Sequence, residues 1–191
     1  RGTVPRPQSF VLPIMALGML FIILWQGRGR WMGVVPVVLA FMLWSQTERP
    51  DILIADTGGL VGVMTPEGRA LSASKGSGFV ARNWLENDGD ASDQEQAAMR
   101  WNVDDMPVLA LRGKRAASQL TECTPDAIVV LNTVPEVKDL PCRVFHPETL
   151  RKTGALALSL TEDGADIISA RQISGARLWN DRAVRRSLGY Q

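Results

Sequence analysis

Two uncharged apolar runs lie almost back to back at the start of this chain, and they constrain its folding more than any other feature. Ser9–Gln26, "SFVLPIMALGMLFIILWQ", carries no charge over 18 residues, and Trp31–Gln46, "WMGVVPVVLAFMLWSQ", carries none over 16. Soluble cores rarely need two adjacent runs of this kind. Eighteen residues of helix reach about 27 Å, close to the thickness of a bilayer core. Trp25, Trp31 and Trp44 stand at run ends, where interfacial aromatics gather. The linking "GRGR" is short and imposes a tight helical hairpin. Pro13 and Pro36 kink such helices, which membrane helices tolerate when neighbours re-satisfy the freed carbonyls. Gly18 and Gly33 suit close packing within a larger bundle.

The expected organisation is therefore a linker at 1–8, a transmembrane helical hairpin at 9–46, a soluble domain at 51–170 and a basic tail at 171–191. The opening "RGTVPRP" has neither Met nor signal-peptide features and reads as the start of a C-terminal fragment of a longer protein. Charge divides the chain at the same place. Residues 1–50 hold five Arg and one acid, Glu48, leaving 16 of the 21 basic and 19 of the 20 acidic residues to 51–191. The pI near 8 thus says little about partners. Arg28 and Arg30 in the short loop place it in the cytoplasm by the positive-inside rule, and the polar domain outside, in the periplasm.

From Asp51 the pattern becomes that of a β-rich α/β domain. "DILIAD", "GLVGVMT" and "RALSAS" read as a meander broken at "TGG" and "PEG". A helix follows over "GFVARNWLEN", with Ser77 as N-cap and Trp84 against the sheet. Ser92 is placed to cap a short helix, "DQEQAAMRW", with Glu95 as its reciprocal partner. "MPVLALRG", "DAIVVLN", "CRVFHP", "ALALSLT" and "DIISARQ" read as strands, and "DAIVVLN" as one buried on both faces. "KRAASQLTE" reads as a short helix and "HPETLRKTGA" as a turn or one helical turn. About eight strands and three helices result, with no internal repeat.

Few residues in this domain can carry chemistry. His146 is the one histidine, so a zinc centre of several imidazoles and a Ser–His–acid triad with its G-x-S-x-G turn both lack parts. "SKGSG" is not a phosphate-binding loop, because Lys75 precedes its last glycine. Cys123 and Cys142, 19 positions apart at the starts of adjacent strands, admit three readings: a disulfide, two free thiols, or a metal site with His146. The disulfide is the natural reading in an oxidising compartment. Asp51, Asp56, Asp88, Asp90, Asp104 and Asp105 are acids without calcium-loop spacing, and "NDGDASD" reads as a solvated loop. Arg171, Arg177, Arg182, Arg185 and Arg186, with Trp179 among them, suit contact with phosphates of DNA or anionic lipid, or a plain solvated tail. No catalytic, metal or cofactor-binding residues are assigned.

The stretch "RPDILIADTGGLVGVMTPEGRALSASKGSGFVARNWLENDGD", together with the hairpin before it, resembles the C-terminal region of alphaproteobacterial ComEC competence proteins. Those proteins form the inner-membrane channel for DNA uptake in natural transformation. The resemblance covers residues 9–90; "DAIVVLN" and the cysteines fit it more loosely. It implies a metallo-β-lactamase-like domain following the last transmembrane helices. Active members place a histidine-rich zinc motif after the next helix, where this chain has "GFVARNWLENDGDASDQEQAAMRW" and no histidine. Its third strand also ends "SASKGSG", without the aspartate expected before the glycine. The expectation is a degenerate, non-catalytic domain that supports the channel or contacts single- or double-stranded DNA, alongside the rest of the channel and other competence proteins. The alternative is a membrane-anchored metal-dependent hydrolase or nuclease with an unconventional site.

Overall fold

The structure, a computed structural model, describes residues 7–135, 140–161 and 164–175. It divides into two units, Gly2–Arg49 and the chain from Pro50 onward.

The first unit is a helical hairpin: α1 (Val11–Leu24), a 3-10 segment (Arg28–Gly33) and α2 (Val34–Ser45). Its glycines explain how the helices meet. A Cβ on Gly18 would lie 2.8 Å from the Gly33 carbonyl oxygen, and one on Gly33 would lie 2.7 Å from that of Gly18. Only bare backbone fits at this crossing. The two glycines thus pack on each other within the hairpin. The transmembrane expectation needs correction in length. The helices have 14 and 12 residues, and no helix among the described residues is long and apolar enough to cross a membrane. The turn takes up residues through Gly33 that the apolar run assigned to the second helix.

The second unit is a mixed α/β sandwich. The meander β1 (Ile52–Ile54), β2 (Val61–Thr65) and β3 (Gly68–Leu71) leads into α3 (Gly78–Asp88) and α4 (Gln94–Met99). Then come β4 (Val108–Leu111), α5 (Lys114–Ser118), β5 (Ile128–Leu131), β6 (Arg143–Phe145), α6 (Pro147–Thr153), β7 (Leu156–Thr161), β8 (Gly164–Ser169) and α7 (Ala170–Ser174). Sheet A is antiparallel, in the order β3-β2-β1-β7-β8, and sheet B is parallel, in the order β4-β5-β6.

Alternation along the strands separates two faces on each sheet. Ile52, Ile54, Val61, Val63, Leu156 and Leu158 of sheet A meet Val108, Ile128 and Val130 of sheet B in one buried core. The opposite face of sheet A gathers Leu60 and Leu71 with Ala81 and Leu85 of α3 and Ala97 of α4. The opposite face of sheet B gathers Val129, Leu131 and Cys142 with Ala117 of α5. The layers therefore run helix, sheet, sheet, helix. β5 is buried at all four positions because both of its faces are covered.

Three local expectations shift. Asp93, not Ser92, caps α4: its Oδ1 accepts from the Gln96 N–H at 2.8 Å, and the Gln96 side chain accepts in return from the Asp93 N–H at 3.1 Å. The Ser92 hydroxyl is instead taken by Arg100 at 2.6 Å. "DIISARQ" changes from strand to helix at Ser169, whose hydroxyl accepts from the Gln172 N–H. "HPETLRKT" forms a seven-residue helix, started by Pro147 at its first position and by the Thr149 hydroxyl accepting from the His146 N–H at 3.0 Å.

Candidate functional site

β1, β3 and the three strands of sheet B all end on one side of the sandwich. β3 runs parallel to β1 through β2, and β4, β5 and β6 are parallel to one another. The "DTGG" turn after β1 fixes how the two sheets line up there. Gly58 has φ 68°, and a Cβ on it would lie 2.2 Å from the Leu131 carbonyl oxygen at the end of β5. Glycine is required both for the left-handed backbone and for the close approach.

The loop after β3, Ser72–Ser77, forms the adjoining part of this rim. Ser72 Oγ accepts from the Val61 N–H at 2.9 Å and holds the end of β3 to the start of β2. Gln94 of α4 pins the middle of the loop, its Nε2 donating to Ala73 O at 3.0 Å and to Gly76 O at 2.6 Å. Ser77 has φ 54°, the one positive value on a non-glycine described residue, and its side chain makes no cap. Such a conformation costs on the order of 1–3 kcal/mol and persists where its surroundings fix it. Past it, Phe79 opens α3 with 81% of its surface exposed. From sheet B, Arg112 reaches the same loop: its Nη2 would lie 3.7 Å from a Cβ on Gly76. The next residue, Gly113, donates its N–H to Asn132 Oδ1 at 2.7 Å, which ties the ends of β4 and β5.

The acidic stretch expected to be solvated is drawn into ion pairs. Arg69 lies on the outer face of sheet A, is fully buried and pairs with Asp88 at the end of α3. Its remaining donors reach Pro50 O at 3.3 Å and Gly62 O at 3.4 Å. Gly62 makes room, since a Cβ there would lie 2.8 Å from Arg69 Cδ and 3.2 Å from Trp84 Cε3. Asp90 pairs with Arg100, accepts from the Ser92 N–H at 2.9 Å, and is held at a pKa of about 2 chiefly by the hydrogen bond from Arg100. Asp51 closes the far side of sheet A by accepting from the Leu160 N–H at 2.7 Å. These carboxylates serve the fold.

Cys123 and Cys142 are joined by a disulfide, with their Cα atoms 5.8 Å apart. The bond clasps the loop before β5 to the start of β6 on the outer face of sheet B, beside α5. Neither sulfur is then free to bind a metal with His146. Among the described residues, no three His, Cys, Asp or Glu side chains converge. Of the basic residues assigned to the tail, Arg171 lies on α7 and donates to Arg151 O at 2.9 Å. Arg177, Trp179, Arg182, Arg185 and Arg186 lie outside the described residues. The residues that the sequence did not single out are Arg69, Gln94, Phe79 and Arg112. An arginine in a strand announces neither its face nor its depth, and Phe79 falls in a helical apolar pattern that equally suits the buried side.

Comparisons with protein-family models, with curated proteins and with solved structures give no match.

Proposed function

We propose that this chain is the C-terminal part of an inner-membrane DNA-uptake channel acting in natural transformation, with a non-catalytic domain from residue 51 that supports the channel or touches DNA in the periplasm. The observation that carries this reading is the order of parts: an apolar helical hairpin followed directly by a sandwich of two facing sheets with helices outside. The resemblance of residues 9–90 to ComEC proteins implies that order of parts, a domain directly after the last membrane helices. The rim where strand ends gather carries the exposed cations Lys75 and Arg112. The disulfide suits an oxidising compartment. The hairpin turns many large apolar side chains outward, among them Leu17, Ile23, Leu24 and Val35, each at least two-thirds exposed.

The test uses the full 191-residue chain in detergent and a fluorescent oligonucleotide over a salt series. The expected result is binding whose log affinity falls linearly with log salt. Absent or salt-independent binding removes the DNA contact. Deleting the domain in a transformable cell is expected to impair transformation, and unchanged transformation removes the channel role as well.

A further inference from the structure

We propose that the rim formed by Lys75, Phe79 and Arg112 is a binding platform for single-stranded DNA; the proposal deepens the DNA-contact reading above and rests on it. Three observations meet there. Phe79 stands 81% exposed on the first turn of α3, although the same helix buries Ala81 and Leu85. Lysine and arginine are exposed on two separate loops, Lys75 four residues before Phe79 in sequence and Arg112 at the end of β4. The loops are brought together, since the Arg112 guanidinium adjoins Gly76. Finally, Gln94 holds the backbone of this loop by two hydrogen bonds, so the aromatic ring is presented from a fixed base. Asp56 is exposed on the turn after β1.

An exposed aromatic ring just past a loop that bears one cation and is met by a second matches the chemistry of an unpaired strand. An exposed base stacks on the ring while the adjacent phosphates meet lysine and arginine, with no need for a particular sequence. A duplex keeps its bases stacked inward and offers the ring nothing. The rim therefore selects single strands, and it uses none of the basic residues after position 175.

The experiment compares the full chain in detergent with Phe79→Ala, with the pair Lys75→Gln and Arg112→Gln, and with a chain ending at residue 175. The probes are a fluorescent oligothymidylate, the same length of duplex, and vesicles of anionic lipid. All the substituted side chains are exposed, so thermal melts should match the parent. Phe79→Ala is expected to weaken oligothymidylate binding by about 5- to 150-fold and to leave duplex binding unchanged. The double variant is expected to lower the salt slope by about 0.7 for each phosphate that is no longer neutralised, and the shortened chain to keep the single-strand preference. Parent-like oligothymidylate binding by Phe79→Ala overturns the rim; loss of binding only in the shortened chain overturns it in favour of the tail and leaves the DNA role standing. Binding to vesicles that falls with Phe79→Ala, without any oligothymidylate binding by the parent, overturns both and makes the rim a lipid contact.

Discussion

Replacing Asp88 by Asn tests whether the buried charge on sheet A is held by its partner. Arg69 has a side chain 1% exposed and Asp88 one 10% exposed, so both members of the pair are withdrawn from water. The substitution keeps the shape and removes the negative charge. The guanidinium is then left inside with the two carbonyls of Pro50 and Gly62, at 3.3 and 3.4 Å. Breaking a buried pair from one side costs about 3–5 kcal/mol, because an uncompensated charge remains. At about 2–4 °C per kcal/mol for a domain near this size, the melting temperature should fall by roughly 6–20 °C. Replacing both residues, Arg69→Met with Asp88→Asn, removes the stranded charge, and the double variant should be more stable than Asp88→Asn alone. Tryptophan fluorescence in urea reads the effect directly, since Trp84 packs over the same glycine as Arg69. An Asp88→Asn variant within about 1 kcal/mol of the parent, or a double variant less stable than the single, would refute the argument that desolvation dominates here.

Two further outcomes follow from the same geometry. Replacing Cys123 and Cys142 by Ser opens a loop of 19 positions and should cost about 3 kcal/mol in chain entropy, read as a lower urea midpoint that matches the reduced parent. Asp90 binds its proton more weakly in the folded protein, at about 2 against an ordinary 3.8, so the stability it contributes is complete above pH 3.8 and is lost as pH falls toward 2. Arg100→Gln should remove that part of the acid dependence, as followed by melts between pH 5 and 2.

The strands are legible in the sequence because β-branched runs lie between glycine and proline turns, and β5 because both of its faces are apolar. The division at residue 50 is legible from charge and hydropathy alone. Helix starts are less so. Ser92 and Asp93 can each accept at a helix N-terminus, and what decides between them is Arg100, eight residues beyond Ser92, which claims the serine hydroxyl. The length of the hairpin helices escapes the sequence for a related reason. An uncharged run marks what avoids water, whereas a helix ends where its backbone turns, here at Trp25 and the 3-10 segment through Gly33. The rim is the least legible, since its partners Gly76, Gln94 and Arg112 come from three separate segments that only the folded sheets bring together.

The place of β7 in sheet A bears on how the chain must be made. β1 is an inner strand whose second neighbour arrives only after all of sheet B and α6 have been synthesised. The bond from Leu160 to Asp51 spans 109 positions. Until that strand emerges, β1 presents a bare edge, so a pairing this distant makes folding slow and leaves the nascent chain open to wrong partners. A ribosome stalled before residue 156 should therefore carry a protease-sensitive domain, and one stalled well past residue 175 a resistant one.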